Sequence, residues 1–291
     1  MLNSPKIEFF KQREFGDKIN ITFAFIRQNA KEYFKYQIYL AGPFIALGTI
    51  LIAVLFSTTM NSFTQGFEEG DFSYSSNYSS GYGLLVAIVY LVIYGIISAV
   101  SLSFMRTYHE NSQGNVPFNE VRSLTWKALF PILGGCVIGG VAIGAGLLFF
   151  FFPGIFLLVS FSLLIPIVVF EGSDSIAGLG RSYNLIKGKW WSTAGLLFVS
   201  LIIGGVLSYV VQIPVFIVGF VEAFTAVSEG TLEGEVLQSA WFNALGTLLA
   251  FLGMIINIFV VQTAMAFQYF NLVEKKESKG LMSKISDMGQ A

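Results

Sequence analysis

The chain has 291 residues, of which 54% are hydrophobic and only 12% are charged, and its mean hydropathy is +0.69. Because soluble globular domains are about 25% charged, this composition excludes an ordinary soluble protein and indicates a membrane protein. The formal net charge is −1, and no nucleic-acid partner is expected. Cys136 is the only cysteine, so an intrachain disulfide is excluded.

Six long apolar stretches follow one another along the chain. A helix needs about 20 apolar residues to cross the hydrocarbon core of a membrane. The stretches are continuous and do not alternate with period two, as the strands of a membrane barrel would. They cover residues 38–57, 83–105, 128–152, 154–170, 192–219 and 241–270. The sequence therefore predicts an all-α polytopic membrane protein with six transmembrane helices.

The basic residues divide the polar segments into two classes. All 17 Lys and Arg lie in the N-terminal segment, in the second and fourth connections or in the C-terminal tail. Because Lys and Arg are retained on the cytoplasmic side, we expect both termini to be cytoplasmic. On this basis residues 1–37 form a cytoplasmic amphipathic segment, residues 38–271 the transmembrane domain and residues 272–291 a basic cytoplasmic tail.

Short amphipathic helices are predicted before spans one, three and five. In residues 17–36, apolar side chains recur at helical spacing among basic ones, which is typical of a helix on the membrane surface. A short helix packed on its own protein fits this pattern equally well. Basic segments also precede the third and fifth spans, at residues 117–131 and 173–191. This arrangement suggests three copies of one unit, a surface helix followed by a membrane hairpin.

The first external connection has the composition of a linker. Residues 62–83 are rich in Ser, Tyr, Asn and Gly and show no helical periodicity. Such segments bury too little apolar surface to fold by themselves. We therefore expect a mobile external loop here.

Glycines in the third span predict close helix packing. The run GGCVIGGVAIGAG places Gly135 and Gly139 four residues apart, and likewise Gly140 and Gly144. Small residues at this spacing allow the backbone of a neighbouring helix to approach closely. The FFPG corner at residues 151–154 then predicts a tight antiparallel hairpin of spans three and four.

Few side chains are suited to catalysis or to metal binding. His109 is the only histidine, and no further donors stand at metal-ligand spacing around it. The motifs GxSxG and HExxH and the P-loop are absent. We therefore predict no catalytic, cofactor or metal site and a protein that is not an enzyme. A membrane-embedded lipid enzyme would depend on Glu171, Asp174, Arg181 and His109 converging at the inner face.

A motif occupies the stretch from residue 160 to residue 191. The sequence LLIPIVVFEG is followed by AGLGRSYNLIKGKWW, which places defined residues around a short helix. The residues of interest are Pro166, Glu171, Ala177, Arg181, Ser182, Leu185, Gly188 and Trp190. Read from the residues alone, this stretch is a structural elbow whose polar groups fix the angle between a surface helix and the next span.

The same residues resemble the glycerophosphoryl diester phosphodiesterase membrane-domain-like family of bacterial six-helix inner-membrane proteins. In some members this membrane part is attached to a catalytic TIM barrel, which takes about 250 residues. The chain has no room for such a barrel. The resemblance therefore implies a stand-alone membrane module in a bacterial inner membrane, with no enzymatic residue to carry over.

Two functions remain in competition. The first is a non-enzymatic scaffold or accessory subunit of a membrane complex, whose partners are membrane lipids and a membrane protein. The alternative is a carrier or flippase for a lipid or other amphiphile, which the repeated hairpins and the amides of spans five and six favour. Those amides are Gln212, Asn243, Asn257, Gln262 and Gln268. Such amides more often join helices by hydrogen bonds.

Overall fold

The structure, a computed structural model, describes residues 7–69, 73–111, 116–229, 240–278, 280, 282 and 285. Within these ranges the chain is almost entirely α-helical and contains no β-strand. The helices are α1 (Phe15–Leu40), α2 (Gly42–Glu69), α3 (Ser73–Glu110), α4 (Phe118–Phe149), α5 (Phe151–Ser160), α6 (Leu164–Glu171), α7 (Ser175–Ile186), α8 (Trp190–Glu229) and α9 (Ala240–Glu277).

Six stretches in this part of the chain are long and apolar enough to cross a membrane. They are Gly42–Thr59, Tyr82–Glu110, Phe118–Phe149, Phe151–Glu171, Trp190–Thr225 and Trp241–Glu277. Both the number of stretches and their order agree with the sequence. The all-α, six-span prediction is therefore confirmed, and the protein is a multi-pass membrane protein by length and composition of its helices.

The segments before the spans fold in different ways. Before span one α1 is a separate helix, and before span five α7 is separated from α8 by a turn with Gly188 at φ 81°. Before span three, by contrast, α4 runs without a break from Phe118 through Pro131. The prediction of a separate short helix is wrong at this third place. Proline is tolerated inside membrane helices, so Pro131 does not end the helix.

The prediction of a loop over residues 62–83 is also wrong for most of its length. Helix α2 continues to Glu69 and α3 begins at Ser73, while residues 70–72 lie outside the described part. Extending an existing helix costs little because each added residue contributes one hydrogen bond. In the predicted basic tail, α9 continues to Glu277, and most positions beyond residue 278 lie outside the description.

The helices form two compact units. One comprises Met1–Leu40, Gly95–Gly204 and Ile258–Ala291, and its core is rich in fully buried aromatic side chains. These include Phe25, Tyr33, Phe104, Phe267 and Phe270.

The second unit comprises Ala41–Tyr94 and Gly205–Asn257. Its buried side chains are mainly aliphatic, with Phe251 as the largest that is fully enclosed. Gly48 permits a close approach here, because a Cβ at this position would lie 2.5 Å from Cδ1 of Ile93.

The predicted hairpin of spans three and four is present. The chain reverses at Phe150, whose backbone is extended between α4 and α5. At the corner Gly146 and Gly154 lie backbone against backbone, since a Cβ on Gly146 would be 2.9 Å from Cα of Gly154. No side chain fits between the two helices at this point.

The glycines singled out in the sequence have two different environments. A Cβ on Gly135 would lie 2.6 Å from the Leu164 side chain, and one on Gly139 would lie 3.4 Å from Leu179. Gly135 and Gly139 therefore face α6 and α7. A Cβ on Gly140 or Gly144 would meet no described atom within 4 Å.

Candidate functional site

The fourth span is interrupted, and Ser182 bonds to the interruption. Helix α5 ends at Ser160 and α6 begins at Leu164. The fully buried hydroxyl of Ser182 donates a hydrogen bond to the Ser160 carbonyl at 2.7 Å and accepts one from the Leu163 N–H at 3.2 Å. Backbone groups freed by a break in a helix are costly when buried without partners. Ser182 thus gives both backbone groups at the break a hydrogen-bond partner and holds α7 against it.

Pro166 lies in the first turn of α6 and is buried. The first four N–H groups of a helix have no intrahelical acceptor, so a proline at this position sacrifices no hydrogen bond. Proline is therefore compatible with the restart of the fourth span after its break.

Arg181 joins three helices through two carboxylates. Its guanidinium donates to Glu171 at the end of α6, with distances of 3.0–3.2 Å, and to Glu277 on α9 at 2.5 Å. The Tyr269 hydroxyl donates to the same Glu171 carboxylate at 3.0 Å. Burial acts to lower the pKa of Arg181, but the hydrogen bonds that it donates to both carboxylates, together with their negative charges, outweigh burial and the pKa is raised. Arg181 is therefore a fully compensated cation.

The turn between α7 and α8 is held from both sides. Lys276 on α9 donates to the carbonyl groups of Asn184 and Lys187 at 2.7 and 3.1 Å, which places a cation at the C-terminal end of α7. The Trp190 indole N–H donates to the Phe156 carbonyl at 3.2 Å, and the two rings stack. With Gly188 at a positive φ, these contacts set the direction in which α8 begins.

The motif residues described above, Pro166, Glu171, Arg181, Ser182, Gly188 and Trp190, thus lie in one connected region, residues 160–191, which we call the elbow. Its polar side chains contact other parts of the chain. Asp174 belongs to this arrangement, since its carboxylate caps α7 by accepting the Ala177 N–H at 2.8 Å. The elbow interpretation of the sequence accounts for each of these contacts.

The remaining candidate for inner-face chemistry is His109. Its ring packs against the aromatic rings of Phe9, Phe10 and Phe270, with centroid distances of 4.6, 5.6 and 5.5 Å. Within the described ranges no group of three or more His, Cys, Asp or Glu side chains is placed to hold a metal ion.

Helix α1 packs on its own protein. The Tyr33 ring stacks on Phe259 of α9, with centroids 3.4 Å apart, and its hydroxyl lies 2.8 Å from Oγ of Ser101 on α3. Gln37 donates to the carbonyl of Ile97, also on α3, at 3.1 Å. These contacts favour the second interpretation of residues 17–36, a helix that covers part of its own protein. Burial raises the pKa of Tyr33, so this phenol stays neutral.

The same helix buries a lysine that sequence reasoning did not single out. Lys18 is 2% exposed, and its Nζ donates to Oε1 of Gln268 at 2.8 Å and to Oγ of Ser192 at 3.3 Å. Gln268 in turn donates to Oγ1 of Thr193 at 2.8 Å. Burial, with a smaller contribution from the positive charge of Lys275, lowers the pKa of Lys18 to about 8. We call Lys18, Ser192, Thr193 and Gln268 the lysine cluster.

A signal for this cluster exists in the sequence. Lys18, Thr22 and Phe25 follow the i, i+4, i+7 spacing of one helix face, and Phe25 is fully buried. The lysine therefore belongs to the apolar face of α1, although it was counted among the basic residues around that face. Gln268 was grouped with the amides of the spans, and it does join α9 to α1 and α8.

The sequence profile of a family described as a domain of unknown function, DUF7847, matches residues 37–270. The chain belongs to this family. No curated protein and no solved structure matches it.

The DUF7847 match covers the whole elbow and begins after Lys18. Three members of the lysine cluster, Ser192, Thr193 and Gln268, therefore fall within the family region, whereas the lysine itself lies in the preceding helix. The match does not bear on the resemblance to the phosphodiesterase membrane domain, which stays a prediction.

Proposed function

We propose that the protein is a non-enzymatic scaffold or accessory subunit of a bacterial inner-membrane complex, with both termini in the cytoplasm. The elbow is the observation that carries this proposal. Glu171, Arg181 and Ser182 are engaged in contacts that hold α6, α7 and α9 together. Side chains committed in this way favour a rigid framework over a site where bonds are made or broken.

A surface suited to a partner lies on the exposed side of α1. Arg27, Lys31 and Lys35 follow one another at intervals of four residues and are exposed. Side chains at this spacing share one face of a helix. Such a basic stripe is complementary to anionic lipid headgroups and to an acidic protein surface.

The experiment is purification of the tagged chain from its own membranes in native nanodiscs, followed by mass spectrometry of bound proteins and lipids. We expect a partner protein at stoichiometric amounts, which is lost from the Arg181→Met variant. Arg122→Met is the matched control, because Arg122 is an exposed arginine on α4 that makes none of the elbow's contacts. A wild-type protein that retains no stoichiometric partner protein would refute the scaffold function.

A separate observation favours the carrier. Within the second unit, an open apolar groove with a volume of about 730 Å³ lies along α8 and reaches Phe242 of α9. Grooves of roughly 300–1,000 Å³ are of the size that binds small ligands. Its lining includes Ile213, Phe216 and Phe220, all partly exposed and apolar, as the acyl chain of an amphiphile would require.

Transbilayer movement of fluorescent lipids in proteoliposomes tests the carrier. If the protein is a carrier, we expect it to move lipid across the bilayer and the Gly219→Trp variant to have lost this activity. Gly219 lines the groove, and a large ring there would fill it. Gly205→Trp is the control, because a Cβ at Gly205 would meet no described atom within 4 Å. Movement at the rate of empty vesicles would rule out the carrier.

A further inference from the structure

Among the residues that the structure describes, the ammonium group of Lys18 has no negatively charged partner. It has three N–H donors, and two of them bond to the neutral side chains of Gln268 and Ser192. The third has no acceptor among the residues that the structure describes. Buried charges in proteins are normally paired, because removing an isolated ammonium from water is costly. The site is therefore short of one anion.

The surroundings add positive potential to that of the lysine. Lys275 lies close enough to act on Lys18 through its like charge. Ser192 and Thr193 stand in the first turn of α8, a helix of 40 residues, and a helix N-terminus carries partial positive charge. The neighbouring Asp17 is exposed and acts on Arg13 instead. An oxyanion at the lysine would thus face a cation, a hydroxyl donor and a helix dipole together.

One aromatic side chain lies against the lysine, and a second is next to Ser192 in the sequence. The Phe15 ring is placed with its centroid 5.9 Å from Nζ of Lys18 and is 41% exposed. It also contacts the first part of α8, since a Cβ on Gly195 would lie 3.5 Å from the ring. Trp191, next to Ser192, is 83% exposed. Exposed aromatic rings of this kind are typical of the membrane interface, and such a position favours an amphiphile as a ligand.

We propose that Lys18 and Ser192 bind the phosphate oxyanion of an anionic phospholipid headgroup at the first turn of α8. The Phe15 ring covers the site when it is empty and rotates outward when the headgroup enters. The third N–H of Lys18 and the Ser192 hydroxyl donate to the phosphate, and the acyl chains lie outside against Trp191 and the exposed side of α8. This lipid site goes beyond the scaffold role and does not require a protein partner.

The test uses the purified full chain in a neutral maltoside detergent and follows its thermal unfolding. Phosphatidylglycerol at saturation should raise the melting temperature by about 5 °C, while phosphatidylcholine should not. The Lys18→Met variant should lose this rise. Lys127→Met, which removes the same charge from an exposed position on α4, should keep it.

A parallel measurement with inorganic phosphate distinguishes a lipid headgroup from free phosphate as the source of the oxyanion. A rise with phosphatidylglycerol alone assigns the site to a lipid, whereas an equal rise with inorganic phosphate supports the oxyanion site but shows that the acyl chains are dispensable. If Lys18→Met does not fold, Ser192→Ala replaces it and should weaken the affinity about fivefold. An unchanged melting temperature in the wild type, or the same rise in Lys18→Met or Ser192→Ala, would overturn the proposal.

Because the lipid test needs only the purified chain, its outcome is separate from that of the scaffold. If the chain retains a protein partner but phosphatidylglycerol does not raise its melting temperature, the scaffold function is supported and the lipid site is refuted. If phosphatidylglycerol raises the melting temperature but no protein partner is retained, only the lipid site is supported.

Discussion

The elbow and the lysine cluster surround a positively charged side chain with opposite environments. In the elbow, Arg181 meets two carboxylates that come from different helices. In the lysine cluster, Lys18 meets two neutral side chains and is more deeply buried. A compensated cation holds helices together, whereas an uncompensated one costs stability unless something else supplies the negative charge. The two regions therefore differ in their electrostatics: the elbow holds helices together, and the lysine cluster is where we propose a ligand site.

The largest effect is expected at the hairpin that supports the elbow. Gly146→Leu forces a side chain against the backbone of Gly154 and should lower the free energy of unfolding by about 3 kcal/mol or more. Gly144→Leu is the control, since its Cβ meets no described atom within 4 Å. Chemical denaturation in detergent compares the two variants. Equal losses would show that the contact between Gly146 and Gly154 does not decide stability.

A smaller loss is expected where Ser182 bonds to the break in the fourth span. Ser182→Ala leaves the Leu163 N–H and the Ser160 carbonyl without their side-chain partner and should cost about 2 kcal/mol. Ser173→Ala, just before α7, should change stability by less than about 0.5 kcal/mol. If both serines behave alike in thermal unfolding, the break does not depend on Ser182.

Removing the cation of the elbow should also destabilise the protein. Arg181→Met leaves Glu171 and Glu277 facing each other without a cation. Because all three side chains are 20–30% exposed, solvent screening reduces the loss to about 1.5 kcal/mol. The double variant with Glu277→Gln should recover part of it. A loss that high salt leaves unchanged would contradict an electrostatic origin.

The smallest effect has the opposite sign and concerns Lys18. In lipid-free detergent, Lys18→Met removes an uncompensated buried charge and should raise stability at pH 7 by about 1 kcal/mol.

The pH dependence provides a second measurement on the same variant. The pKa of Lys18 is about 8 in the folded protein and roughly 10.4 in the unfolded chain, so the unfolded state binds more protons between these values. Wild-type stability should therefore rise by about 1 kcal/mol from pH 7 to pH 9, and this rise should be absent from Lys18→Met. Parallel pH profiles would show that Lys18 is not the titrating group.

The elbow was largely predictable from sequence because its residues are close together in the chain. Glu171 and Arg181 are separated by 10 positions and Ser182 lies 22 residues from its acceptor on Ser160. Local spacing and helix caps therefore contain most of the information. The break in the fourth span was not predicted, because residues 160–164, SFSLL, lie inside a long apolar stretch and contain neither glycine nor proline.

The lysine cluster was not predictable because its members come from remote parts of the chain. Lys18 and Gln268 are 250 positions apart, and Lys18 and Ser192 are 174 apart. A lysine in a basic amphipathic helix is ordinarily solvated, so only its place on the face shared with Phe25 distinguishes it. The helix face is visible in the sequence, but the residues opposite it are not.

The sequence by itself determined that this is a six-span helical membrane protein, because hydrophobic length and the requirement for internal backbone hydrogen bonds leave no other fold. It also determined the elbow motif. Only the tertiary structure decided that α1 packs on α3 and α9, and that Lys18 is buried with no acidic partner among the described residues. Each of these depends on contacts between segments distant in the chain, which no local pattern specifies.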